Sequence, residues 1–453
     1  SPSACTMPGA NTSAGGNRRR AHFPIMTTNA LPWGANFRPP LLSGSSLVLI
    51  LAYQDLLPLV LIVWTSLKTI RPGAPGFLEL SFTLANYARA YGIREFWESS
   101  LNTFYFAAAS TFCAFVWGTF LAWIGERTNT PLARLIGTIT VGRIIIPGVM
   151  ITISWILMAS PSIGVVNYLM NLLTGIPRFF NIYSFWGMVW VQSLELTPLA
   201  YLLMSAAMQS IDPRLVEASS IAGAGTWPTF RKVTLPLILP AAAASALLLF
   251  IQTVESFEVP LLLGGRARVA VYTTEVYFNT SRMPTDWGLA STYSMILLVL
   301  AMVLLYIHFR LVRHGERYQT ITGKDYRPRR IDLGRWKYLS CALSLLLVFL
   351  ITGLPFLTML YASLLPRFQA PTADALAAMT LANYANLLAD HGYALKPLWN
   401  STLLGVSTAS IIMLLVAAIS YFVHKTRLGG PKILDFLAFA PIALPGVVLA
   451  SAF

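Results

Sequence analysis

Nine stretches of this 453-residue sequence are apolar over the length needed to cross a bilayer: 45–66, 99–124, 136–158, 183–206, 236–262, 287–312, 338–364, 397–424 and 432–453. A spanning helix takes about 20 such residues. Charged residues make up only 11% of the chain, against about 25% in a soluble domain. An ordinary globular enzyme is excluded. The expected fold class is all-α, a polytopic transmembrane helical bundle.

The formal charge of +14 raises the question of nucleic acid, and its distribution answers it. With the N-terminus in the cytoplasm, the basic residues gather on one side of the membrane. They lie at Arg18–Arg20 and Arg38, at Arg127 and Arg134, at Arg214, Arg231 and Lys232, between Arg310 and Lys337, and at Lys425, Arg427 and Lys432. Cytoplasmic loops are the basic ones, so the charge reports topology and no nucleic-acid partner is expected. Residues 1–44, rich in Gly, Ser, Asn, Pro and Arg, read as a disordered basic cytoplasmic tail. The three cysteines and five histidines show no ligand spacing, and no metal site is expected.

A direct repeat organises the rest. Thr83-Leu84-Ala85-Asn86-Tyr87 returns letter for letter as Thr380-Leu381-Ala382-Asn383-Tyr384, and Pro58 and Ser66 match Pro355 and Ser363 at the same offset of 297. Downstream the offset becomes 298, pairing Asn102 with Asn400, Arg127 with Lys425, and Pro147-Gly148-Val149 with Pro445-Gly446-Val447. Six expected spans separate equivalent points, so both halves keep one orientation. Parallel repeats of this kind place a translocation path between them. The expected organisation is a first six-span repeat over 45–312, a basic cytoplasmic linker over 313–337, and a second, three-span repeat over 338–453 that is incomplete.

Between the fourth and fifth stretches, the loop 207–236 holds Asp212-Pro213 followed by Glu217-Ala218-Ser219, then Gly223 after three residues, Val233 after nine more, and Leu235-Pro236. Asp212 suits an N-cap and Pro213 the first helical position. Gly223 or Gly225 can end the short helix in a left-handed conformation. This spacing resembles the signature of the type I ABC importer permeases, E-A-A, three residues, G, nine residues, I, one residue, L-P. Two departures stand in it, Ser219 for Ala and Val233 for Ile.

That resemblance implies a coupling helix seated on a separate ATPase dimer, with Glu217, Ala218, Ser219, Gly223, Val233, Leu235 and Pro236 as the coupling residues. It implies an inner-membrane permease, not itself an enzyme, that receives substrate from a periplasmic binding protein, with ATP on the partner subunit. The absence of a phosphate-binding glycine before Gly323-Lys324 agrees with that division of labour. Glu255 to Gly264 and Thr273 to Tyr277 resemble the fused ferric-iron branch of the family. Thiamine, phosphonate and polyamine permeases share much of the pattern. A secondary transporter with parallel repeats would explain the repeat and the charge bias, but not the signature loop.

Carboxylates inside spans mark pathways or pairing sites. Glu255 and Glu258, three residues apart, are expected on one face of the fifth span near its outer end, as pathway residues or as a solvated interfacial pair. Glu195 lies mid-way along the fourth stretch, with Gln192 on the same face. It either joins the pathway or is a buried carboxylate satisfied by Gln192 or a neighbouring helix. Arg143 could pair with Glu195 or snorkel towards the cytoplasm.

Overall fold

The computed structural model describes residues 44–70, 72–211, 213–315, 330–389, 391–425 and 446. The basic tail up to residue 43, most of the linker and the stretch 432–453 lie outside these residues except at Gly446. Among the described residues the architecture is helical. Five helices are long and apolar enough to cross a membrane: Arg94–Arg127, Phe230–Val254, Trp287–Val312, Trp336–Ser363 and Ala394–Tyr421.

The helices used below are α1 (Gly44–Ser66), α2 (Ala85–Gly92), α3 (Arg94–Arg127), α4 (Ala133–Gly142), α5 (Gly148–Ala159), α6 (Val165–Thr174) and α7 (Phe185–Gln209). They continue as α8 (Pro213–Ile221), α9 (Leu235–Val254), α10 (Tyr272–Ser281), α11 (Trp287–Gly315), α12 (Trp336–Val348), α13 (Leu354–Ser363), α14 (Ala382–Ala389) and α15 (His391–Lys425).

The bundle is built around α3 and α7. Lipid tails are as apolar as leucine, so helices associate in a membrane through close packing of small residues rather than through hydrophobic transfer. Gly118 on α3 shows this: a Cβ there would collide with Ala200 on α7. Indole rings extend the contact. Trp117 on α3 and Trp155 on α5 both meet Trp190 on α7 edge-to-face, at centroid distances of 5.5 and 5.6 Å. α7 is long enough to cross a bilayer with 25 residues, yet it is not among the five apolar spans. Gln192, Ser193, Glu195 and Thr197 make its middle polar, and its neighbours cover it.

Two expected spans are interrupted. The stretch 136–158 is not one helix: Ala133–Ile145 and Gly148–Ala159 meet at 103°. Pro147 explains the break, since it has no N–H to give and disfavours helix at the residue before it. Ile146 is accordingly extended, with ψ 124°. The stretch 236–262 also divides. α9 stops at Val254, and a second segment begins at Glu258 and runs through a π-helical turn at Pro260–Gly264. π-helical turns precede Leu235-Pro236 and Leu354-Pro355 as well, at Phe230–Thr234 and Phe349–Gly353. In each, the leucine N–H reaches back five residues to a phenylalanine carbonyl, which lets the chain pass a proline that cannot donate.

The sequence repeat is also a repeat of hydrogen bonds. The Asn86 side-chain amide donates to the carbonyls of Ser66 and Lys68, and that of Asn383 donates to Ser363 and Leu365. Tyr87 reaches the Ser66 hydroxyl at 3.0 Å, and Tyr384 reaches that of Ser363 at 2.7 Å. Thr83 N–H donates to Leu67 O as Thr380 N–H does to Leu364 O. The surroundings differ. Asn86 is 5% exposed, with Gly288 of α11 packed so close that a Cβ would meet its amide, whereas Asn383 is exposed.

Candidate functional site

Two regions carry the chemistry. The first is the loop after α7. α8 begins at Pro213 and ends at Ile221, and Gly223 takes φ +83°, so of the two glycines it is Gly223 that turns the chain. Nothing lies within 4 Å of where its Cβ would be. The requirement for glycine is therefore conformational and not a matter of space. Asp212, the expected N-cap, lies outside the described residues.

Glu217 and Ser219 are half-buried, and Ala218 and Gly223 are exposed. The Ser219 hydroxyl meets that of Thr229 at 2.9 Å, which ties α8 to the segment re-entering the membrane. One of the two departures from the permease signature thus gains a bond that alanine could not make. Val233 sits in the π-helical turn, and Leu235 and Pro236 open α9.

The second region surrounds the break between α4 and α5. Gly148, first residue of α5, lies against two carboxylates: a Cβ there would collide with Glu195 Oε1 and sit 2.6 Å from Glu258 Oε2. Arg143, in the turn that precedes the break, is 5% exposed, and its Nε and Nη2 have no hydrogen-bond partner. It feels the charge of both Glu195 and Glu258, with no direct ion pair among the described residues. One cation and two carboxylates from three separate elements therefore meet at a helix break. The positive amino end of α5 adds to the field on the carboxylates.

This arrangement corrects one expectation and decides between the alternatives left at two other positions. Glu255 and Glu258 do not share a helix face, because α9 ends between them. Glu255 caps α9 with a buried Oε1 that has no partner, while Glu258 belongs to the next segment and reaches Glu195. Gln192 does not serve Glu195: its Oε1 accepts the Ser256 hydroxyl at 2.6 Å. Arg143 does not snorkel but stays buried beside the carboxylates. Gly148 was not singled out in the sequence as a site residue. The signal was present in Pro147-Gly148, a proline followed by the one residue that leaves room for two side chains. Among the described residues no three His, Cys, Asp or Glu side chains group as a metal site.

Residues 114–314 match the family described as "Binding-protein-dependent transport system inner membrane component". The match runs from the middle of α3 to the end of α11 and takes in both regions above. The "Ferric transport system permease protein FbpB" of Actinobacillus pleuropneumoniae is 31% identical over 273 residues, 59% of this chain and 38% of that protein. The "Putative ferric transport system permease protein FbpB 1" of Haemophilus influenzae is 30% identical over 285 residues, 59% of this chain and 41% of that protein. The chain thus spans about two fifths of the length of these relatives. A crystal structure of a bacterial alginate ABC transporter with its alginate-bound periplasmic protein is 21% identical, covers 62% of this chain and 95% of the matched chain, and superposes with a TM-score of 0.49. With the apolar helices, the family match makes the chain a multi-pass membrane protein.

Proposed function

We propose, on the premise that residues 114–314 are a binding-protein-dependent transport inner membrane domain, that this chain is the permease of an ATP-driven importer. The observation that carries the proposal is the 213–223 loop. It is a short helix with glutamate, alanine and serine at its centre and a left-handed glycine at its exit, held to the following helix through Ser219 and Thr229. A rigid, self-contained helix projecting between two spans can sit in a groove of an ATPase subunit and move as one piece. In this reading Glu217, Ala218, Ser219 and Gly223 form the docking helix, and Val233, Leu235 and Pro236 form its hinge into the membrane. ATP is bound by the partner dimer. The loop side of the membrane is the cytoplasm, the N-terminus lies there too, and a periplasmic binding protein delivers substrate to the opposite face.

Ferric iron is the substrate class that the reading favours, supported by the two ferric permease relatives and by the oxygen chemistry at the helix break. Glu195 and Glu258 offer hard carboxylate oxygens, and Arg143 offsets one of their two charges. A conducting site must attract its ion and still release it, and carboxylate oxygens held beside a buried cation suit that compromise. Glu255 lines the same route towards the outer side.

The test is uptake of radiolabelled ferric ion by vesicles that contain the chain, its co-purifying ATPase and a binding protein. Uptake that requires ATP and is lost in Glu217→Ala with membrane insertion intact supports the proposal. Uptake that follows a proton or sodium gradient and ignores ATP depletion overturns it in favour of a secondary transporter.

A further inference from the structure

Residues 330–340, the end of the linker and the residues just after it, return to the end of α3. Ile331 N–H donates to Arg127 O at 2.7 Å, and Asn129 N–H donates to Ile331 O at 3.1 Å, a short parallel bridge between two otherwise unrelated stretches. The Asn129 side chain closes the clamp from both sides. Its amide donates to Asp332 Oδ1 at 2.6 Å, and its carbonyl oxygen accepts Leu333 N–H at 3.1 Å. Asp332 also accepts Gly334 N–H, and these donors hold its carboxyl below the usual carboxylate range. Thr130 and Ser340 join their hydroxyls at 2.8 Å, which extends the clamp to the first turn of α12.

The same Arg127 faces the other way with its side chain. Nη2 donates to Met208 O at 2.5 Å, in the last turn of α7 and five residues before α8 begins. One residue therefore holds the approach to the docking helix with its guanidinium and the end of the linker with its carbonyl. Beyond the clamp, α12 packs on α3 and α4, and α13 packs on α5. The chain of contacts thus ends at the broken span that carries Arg143 and Gly148.

We infer that Arg127 is a positioning residue that relays displacement of the 213–221 helix to α12, and through it to the α4–α5 break. The purpose of this relay rests on the permease reading; its existence does not. Coupling carried by a contiguous network is reciprocal. Loosening the linker side should therefore loosen the end of α7, which Asn129 reaches only by way of Arg127.

Amide hydrogen exchange on the full chain in lipid nanodiscs tests this without any ATPase. In Asn129→Ala, exchange at Ile331 and Leu333 is expected to rise about tenfold, and exchange at 206–211 about threefold, through the shared Arg127. In Arg127→Ala, exchange at 206–211 rises by itself, and adding Asn129→Ala changes it no further. If Arg127→Ala does not insert, Asp332→Ala serves as a second lesion on the linker side and should repeat the Asn129→Ala pattern. Release of 331–333 with 206–211 unchanged would overturn the relay and leave only a pinned linker. Failure of ATP-dependent uptake would instead overturn the permease reading and leave the exchange result standing.

Discussion

Glu195 and Glu258 come from different helical segments, 63 positions apart, and meet over the backbone of Gly148 with Arg143 buried beside them. The arginine has two donors, Nε and Nη2, with no partner. The cluster should therefore behave as one energetic unit. In a double-mutant cycle with Arg143→Met and Glu195→Gln, we expect each single change to destabilise the folded chain and the pair to cost less than the sum. A coupling of about 0.5–3 kcal/mol is typical of residues in one charge network. Thermal unfolding in detergent measures it, and simple additivity would show that the three groups act independently.

Gly148→Ala tests the same place by volume. The added methyl has to displace both carboxylates, and overpacking of this kind costs about 1–3 kcal/mol. The proposed ferric uptake is expected to fall well below the parent rate while the protein still reaches the membrane. Gly142→Ala, where nothing lies within 4 Å of the new Cβ, is the control and should leave uptake unchanged.

At Gly223 the constraint is the backbone. A β-branched residue at φ +83° is strained whatever the space, so Gly223→Val should impair ATP-coupled uptake more than Gly223→Asn, which tolerates the left-handed region. The difference expected is about 1 kcal/mol or more in loop stability. Equal effects of valine and asparagine would mean that side-chain contact, not conformation, decides the position.

The Ser219–Thr229 bond predicts a mild and non-additive effect. Ser219→Ala restores the residue of the permease signature and removes one partly exposed hydrogen bond, a loss of about 0.5–1.5 kcal/mol. Thr229→Ala should cost a similar amount, and the double variant little more than either. Stability of the loop against limited proteolysis is the readout.

The buried asparagine knot predicts a cost on its removal. Asn86→Ala strips two buried carbonyls of their partner under Gly288, at a cost of about 1–3 kcal/mol. Thermal melts against the parent chain measure it, and an unchanged melting temperature would contradict the burial argument.

Long apolar runs and the spaced glycine loop were legible in the sequence because each depends on neighbours along the chain. Hydropathy reveals a span, and a proline at the first helical position with glycine after the helix reveals a short helical turn. The interruptions were harder to see. Pro147 sits inside an apolar window, so composition hides a bend of 103°, and the end of α9 at Val254 lies in a run that averages as apolar. Polar residues that decide the site were assigned partners by helix geometry. Once the helix between Glu255 and Glu258 breaks, that geometry no longer applies. The meeting of Arg143, Glu195 and Glu258 depends on tertiary packing, which no local pattern encodes. The clamp at Arg127 and Asn129 was invisible for the same reason, with partners about two hundred positions away.

The asparagine knots bear on how the chain enters the membrane. Every bond within a knot closes over about twenty residues: Asn86 to Ser66 spans 20 and Tyr87 to Ser66 spans 21, and the second copy repeats both separations. Contacts this local can form soon after their own segment is synthesised, before any distant helix arrives. Each knot fastens the loop that follows a first helix back onto that helix's own end. Each knot therefore sets the angle at which the chain leaves that helix, so later helices pack against an end whose direction is already given.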